Sequence, residues 1–167
     1  MNNPVKELIA ILEHEREIYE NILNIEENKS EAIMERDGKL IEELSGSQEK
    51  FLKEIERLEN ERIVLMKKYK SVHVKLHKGE ITLQDVIEST DSAQSKILKQ
   101  TGIELKNILL KVAEVQELNS QLLMDNMEFY DIIISGLKDS SSVNSGYGSD
   151  GKEKSGTVNP VLFNIKA

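Results

Sequence analysis

Residues 44–76 read LSGSQEKFLKEIERLENERIVLMKKYKSVHVKL and decide the fold, because apolar side chains recur in this stretch at steps of three, four and seven. Such steps place the apolar side chains along one stripe of an α-helix, which is the pattern of a coiled-coil seam. Arg62 is the one charged residue on the stripe. We therefore predict a long helix that packs along one side. The stripe consists of Leu44, Phe51, Ile55, Leu58, Leu65, Tyr69, Val72 and Leu76.

The same spacing occurs nearer the N-terminus, over residues 5–33. Pro4 suits the start of this helix, because the N–H that proline lacks would have no partner in a first helical turn. Charged side chains also occupy the register of the seam, at Glu15, Glu26 and Lys29. Since charged seam residues weaken helix packing, we expect this helix to lie loosely against its neighbours or to expose part of its length.

Glycine and small polar residues mark the ends of the helices. Asp37-Gly38 predicts a tight turn between the first two helices, because glycine permits turn conformations and aspartate can cap the following helix. The alternative is one uninterrupted helix with a slip in its heptad register. We expect the second helix to end at Lys78-Gly79, and Thr82-Leu83-Gln84-Asp85 resembles a capping box that opens a third. Small polar residues from Ser89 to Ser92 favour a pause in that third region.

Beyond the pause, an apolar seam runs from Ile97 through Val112 to Ile133. Asn119 and Asn126 occupy two of its a-type positions, where a buried asparagine fixes helix register at some cost in stability. The sequence therefore predicts an all-α fold, an elongated antiparallel coiled-coil-type bundle. Its three main helices are expected at about 4–36, 39–77 and 83–137.

The composition changes near Lys138, and ten of the 23 residues from Lys138 to Pro160 are serine or glycine. Such a segment buries too little apolar surface to offset the entropy cost of ordering. We expect a helical domain over 1–138 and a flexible tail over 139–167 that carries a short recognition motif. Tyr147 is the candidate anchor of that motif, although an isolated exposed tyrosine often has no role.

Composition also argues against several classes of partner. A formal net charge of -8 with no clustered basic surface argues against nucleic acids and anionic membranes. No stretch approaches the roughly 18 apolar residues of a membrane span, and no signal peptide is evident, so we expect a cytosolic protein without stable membrane insertion. Cysteine is absent, which excludes disulfides and cysteine-ligated zinc.

No constellation for catalysis or cofactor binding stands out. His73 and His77 lie four residues apart, as in a helical zinc site, but Val74 stands where the zincin motif has glutamate, and His14 is remote in sequence. A catalytic pair of carboxylates needs a cleft that shifts one pKa, which thin helix packing rarely forms. We therefore expect no metal, no cofactor and no enzymatic activity.

The segment from Leu122 to Leu137 holds the candidate binding site, because ten of its 16 residues are apolar. At 100° per residue these side chains surround most of the helix, whereas packing on a helical hairpin covers one side. Either both earlier helices enclose this one in a three-helix bundle, or the segment docks an amphipathic helix of a partner. The residues assigned to docking are Leu122, Leu123, Met124, Met127, Phe129, Tyr130, Ile133, Ile134 and Leu137.

In the order of its segments, the chain resembles the FlgN family of flagellar export chaperones over nearly its whole length. The resemblance lies in a first helix rich in glutamate and leucine and in four short segments. The most specific combination is the asparagine-containing helix followed by the tyrosine-glycine tail. The segments are Glu59-Xaa-Glu61-Arg62, Leu118-Asn119 running into Leu122-Leu123, Tyr147-Gly148-Ser149-Asp150-Gly151, and Phe163-Asn164-Ile165-Lys166-Ala167.

The resemblance implies a cytosolic chaperone that holds hook-associated proteins, the proteins of the hook-filament junction, until they are exported. It implies that cargo binds at residues 122–137 and that Tyr147, with Gly148, docks the complex to the export gate of the flagellar type III system. The alternative is a structural coiled-coil adaptor that self-associates, with residues 122–137 as the seam of a homodimer. The two hypotheses differ in oligomeric state and in affinity for cargo.

Overall fold

The computed structural model describes residues 3–73 and 79–140, and within that part of the chain every regular element is a helix. The all-α prediction is thereby confirmed. Side chains are described throughout these ranges except at Tyr130, Ile133, Ile134 and residues 137–140. The helices are α1 (Pro4–Glu35), α2 (Gly38–His73), α3 (Leu83–Ser89), α4 (Ser92–Asp125) and α5 (Met127–Ser140).

The first turn is formed by Arg36 and Asp37. α1 ends where Arg36 adopts a left-handed conformation, with φ 56° and ψ 35°. The Asp37 side chain then accepts a hydrogen bond from the Leu40 N–H at 3.0 Å, which caps α2. Two helices therefore flank a turn, and the alternative of one uninterrupted helix is wrong. The left-handed residue is Arg36, however, and Gly38 already belongs to α2.

α1 is the central helix of a bundle formed with α2 and α4. Ser30 of α1 contacts Asn119 of α4, and Arg16 of α1 contacts Glu104 of α4. Residue numbers thus rise together along the two helices, which run parallel. α2 returns from the turn antiparallel to α1 and packs along its other side.

The main core lies between these helices, and α1 contributes the largest share of it. The apolar residues predicted for the seam of α1 are buried, and three residues outside that prediction, Ile18, Ile25 and Ala32, are buried with them. On α4 the buried stripe includes Leu98, whereas the predicted Ile97 is 48% exposed. The apolar spacing does not distinguish Leu98 from Ile97, because both residues are apolar. The buried members of the main core are Val5, Leu8, Leu12, Ile18, Tyr19, Ile22, Ile55, Leu58, Leu65, Tyr69, Val86, Leu98, Leu105 and Val112.

The third helical region is divided into α3, α4 and α5, where the sequence predicted one region over 83–137 with a pause. Thr82 forms the predicted capping box with Asp85. Extended backbone at Thr90 and an N-cap at Asp91 produce the pause. A second break at Asn126 ends α4, so Asn126 is not the buried seam residue that its spacing predicted.

α3 folds back against α4 at the opposite end of the bundle from the first turn. Gly102 permits this close approach, because a Cβ at that position would lie 2.9 Å from Cδ2 of Leu83. Val86, on the side of α3 that faces the core, is fully buried. The Tyr69 hydroxyl lies 2.9 Å from Oγ of Ser89 and links α2 to the same helix.

α1 does not lie loosely against its neighbours, so that expectation is wrong. Glu15 and Glu26 are 1% and 3% exposed, in the middle of the bundle. Arg62 of α2 lies near Glu15, and Gln48 of α2 and Asn119 of α4 bond to Glu26. Glu26 can be buried because the neighbouring helices supply hydrogen-bond partners, which the pattern of a single helix does not show.

Candidate partner-binding site

The end of the bundle at the α1–α2 turn has an apolar cluster separate from the main core, which we call the terminal cluster. Its buried members are Ala32 and Ile33 of α1 and Ile41 of α2. It is small, so the side chains that cover it decide how much apolar surface this end exposes. Partly buried residues of α2, α4 and α5 surround it: Leu40, Leu44, Leu122, Leu123 and Phe129.

The docking residues whose side chains are described divide between the inside and the outside of this cluster. Leu122, Leu123 and Phe129 pack against it and are half-buried. Met124 and Met127 are 60% and 56% exposed. The bundle therefore covers part of the predicted site, as the enclosed-helix interpretation requires, and leaves another part available to a partner.

α5 carries a further exposed apolar side chain. Ile132 is 73% exposed, the most exposed of the large apolar side chains described. Six further predicted residues lie outside the described side chains, four of them on the α5 backbone and two in the tail. They are Tyr130, Ile133, Ile134, Leu137, Tyr147 and Gly148.

Arg36 joins the α1–α2 turn to the junction of α4 and α5. Its Nη2 donates a hydrogen bond to Oδ1 of Asn126 at 3.1 Å, and its guanidinium carbon lies 5.6 Å from the centroid of the Phe129 ring. Nδ2 of Asn126 donates in turn to the Leu122 carbonyl at 3.1 Å. Sequence reasoning missed Arg36, because a basic residue before a turn carries no signal of its distant partners.

A buried polar layer separates the terminal cluster from the main core. Glu26 is its centre: it accepts hydrogen bonds from Gln48 of α2 at 2.5 Å and from Asn119 of α4 at 2.8 Å. Ser30 donates to Oδ1 of Asn119 at 2.5 Å, and Lys29 donates to Gln48 at 3.0 Å. Asn119 is buried, as its predicted seam position requires. The layer ties all three long helices together at one level and fixes their register.

A second polar layer lies within the main core, and its charged side chains are less completely paired than those of the first. Arg62 forms a close pair with Glu59, 2.7 Å between Nη2 and Oε2, but its Nε lies 3.9 Å from Glu15. When ionised, neither carboxyl oxygen of Glu15 has a hydrogen-bond partner among the described residues, whereas the protonated carboxyl can bond to Glu59. Burial raises the pKa of Glu15 to about 8, with the nearby charge of Glu59 adding to the effect and Arg62 opposing it.

A cavity of about 620 Å³ lies at the other end of the bundle. Its wall mixes apolar side chains, among them Ile63 and Met66, with charged ones, among them Lys67 and Glu80. His73 stacks on Tyr69, with ring centroids 4.6 Å apart, and His77 lies outside the described residues. The described part of the chain contains no group of three or more histidine, cysteine or acidic residues placed to hold a metal ion.

None of the helices in the described ranges is both long and apolar enough to cross a membrane. The described part of the chain is a bundle of long helices with an apolar, partly exposed end. A family model described as FlgN protein matches residues 1–155, and the chain belongs to the FlgN family. Membership implies a general role as an export chaperone in flagellum assembly. No curated protein and no solved structure gives a significant match to the chain.

Proposed function

We propose that this protein is a cytosolic export chaperone that binds the helical terminal segments of hook-associated proteins, prevents their premature assembly and delivers them to the flagellar type III export gate. The observation that carries the proposal is the apolar surface at the α4–α5 junction. Met124, Met127 and Ile132 are each more than half exposed, in the same segment of chain whose Leu123 and Phe129 pack against the terminal cluster. The flexible thioether side chain of methionine suits a surface that must accept a partner helix.

The chemistry of the site favours binding without catalysis. Exposed apolar side chains supply contact area, and Arg62 pairs with Glu59 within the bundle. Binding of a disordered cargo segment that folds on contact gives up affinity to the ordering of that segment. A moderate affinity suits cargo that has to be released for export.

The test is co-purification of the chain with the C-terminal segment of each hook-filament junction protein from the same genome, followed by light scattering. A stoichiometric complex is the expected result. The absence of any complex, together with a homodimer whose mass does not change with concentration, would favour the self-associating adaptor.

Substitutions map the surface within that experiment. We expect Met124→Asp and Met127→Asp to weaken cargo binding, because a carboxylate would have to be buried in the contact. Leu110→Asp is the matched control, since Leu110 of α4 is 58% exposed but lies outside the terminal cluster. Equal losses at all three positions would contradict a localised site.

Phe129→Asp and Ile133→Asp are expected to abolish cargo binding while helicity, measured by circular dichroism, stays high. Intact binding by both variants would exclude the proposed groove. Tyr147→Ala is expected to spare cargo binding and weaken binding to the export gate. An unchanged affinity for the gate would remove Tyr147 from that role.

A further inference from the structure

The predicted docking residues cannot all contact a partner in the arrangement described. Phe129 is half-buried against the terminal cluster, whereas Met127, two residues earlier, is 56% exposed. A partner helix that lay on the exposed methionines would meet one side of α5 only. Access to Phe129 requires α5 to move away from the terminal cluster.

The backbone between α4 and α5 allows such a movement. α4 ends at Asn126, whose φ of -121° and ψ of 32° lie outside the helical region. Among the described residues, α5 has more contacts with α4 than with any other helix, and Phe129 is its contribution to the terminal cluster. Residues at the ends of helices commonly absorb the dihedral changes of a hinge.

Arg36 supplies contacts from outside the α4–α5 segment that oppose the movement. One guanidinium nitrogen donates to the side chain of Asn126 on one side of the break, and the same guanidinium lies over the ring of Phe129 on the other side. Arg36 does so from a left-handed backbone conformation, which costs residues other than glycine free energy. The turn thus places a strained cationic residue against both sides of the α4–α5 break.

We propose that Arg36 controls access to the cargo site, because its contacts with Asn126 and Phe129 hold α5 against the terminal cluster. When α5 swings out at Asn126, a cargo helix inserts between α5 and the terminal cluster. This regulation rests on the proposed function. In the docked state α5 protects the apolar side chains of Leu122, Leu123 and Phe129 from water. In the open state those side chains and the exposed methionines form one surface for the cargo helix.

Arg36→Gly is the informative variant, because it removes the side chain and also relieves the left-handed backbone, which glycine adopts readily. Its global stability should therefore not fall. Loss of one exposed hydrogen bond and one exposed cation–π contact should raise the population with α5 open by about fivefold. Arg57→Ala is the control, since Arg57 is exposed and pairs with Glu54 and Glu61 of its own helix.

The experiment measures hydrogen exchange of the α5 amides in the free full-length chain and, separately, the affinity for the cargo segment that co-purifies with it. An undocked helix of 14 residues is marginal in water and frays, so we expect Arg36→Gly to speed exchange in α5 by about fivefold. Cargo binding should tighten by a similar factor, because apparent affinity scales with the competent fraction. Arg57→Ala should change neither quantity.

Unchanged exchange in α5 would show that Arg36 does not hold the helix and would overturn the proposal. Faster exchange with unchanged or weaker cargo binding would also overturn it, because α5 would then bind cargo in its docked position. Failure of the unmodified chain to bind any cargo segment would refute the proposed function instead. Hydrogen exchange, which needs no cargo, would still decide whether Arg36 restrains α5.

Discussion

Glu15→Gln should stabilise the protein, and increasingly so as the pH rises. Glu15 is 1% exposed, and burial raises its pKa from the ordinary 4.5 to about 8. In the unfolded chain the carboxyl loses its proton near pH 4.5, but in the folded chain it keeps the proton until about pH 8. The stabilising effect of the protonated group is therefore complete below pH 4.5 and is lost as the pH rises through 8.

The two pKa values give the magnitude. Between pH 5.5 and 8.5 the linkage relation yields a loss of about 3 kcal/mol in the free energy of unfolding from this group. Glutamine has the shape of the protonated side chain and does not titrate, so Glu15→Gln removes the loss. Its advantage over the unmodified protein should grow by about 3 kcal/mol over that range.

Urea unfolding followed by circular dichroism at pH 5.5, 7 and 8.5 measures this difference for the two proteins. Glu17→Gln is the control, because it makes the same substitution on the exposed side of the same helix, and it should bring no comparable advantage. An advantage of Glu15→Gln that stays constant or shrinks as the pH rises would refute the assignment of Glu15 as a buried, protonated carboxyl.

Three further changes test the packing by urea or thermal unfolding. Asn119→Ala should cost about 3 kcal/mol, because its buried partners lose their hydrogen bonds, whereas Asn107→Ala on the exposed side of α4 should cost under about 0.5 kcal/mol. Equal losses at the two positions would contradict the buried layer. Asp91→Ala removes the N-cap of α4 and should cost about 1 kcal/mol, and no loss would exclude that cap. Tyr69→Phe should cost about 1 kcal/mol by removing the contact with Ser89, and an unchanged melting temperature would show that the contact adds nothing.

The helices were predictable from the sequence because their apolar spacing is regular over many turns. The seam of α1, the turn before α2, and the capping box at Thr82 could all be recognised from local residues. On α4, Leu98 is buried and Ile97 is exposed. The sequence does not predict which of these two adjacent apolar residues faces the core. Both choices satisfy the same periodicity, and the neighbouring helices decide between them.

The polar contacts were harder to predict, because each depends on residues far apart in sequence. Glu26 and Asn119 are 93 residues apart and share one buried layer. Arg36 and Asn126 are 90 residues apart, and their side chains meet only because α4 packs beside α1. The apolar richness of residues 122–137 indicated a binding site, but the division of its side chains between the terminal cluster and solvent required the structure.

The proposed function is tested most directly by the hydrogen-exchange footprint of a cargo segment on the full-length chain. We predict that the C-terminal segment of one hook-filament junction protein forms a stoichiometric complex and slows exchange at residues 122–136, while the middle of α1 and α2 is unchanged. Binding that protects another part of the bundle, or no binding together with protection of residues 122–136 by self-association, would contradict it.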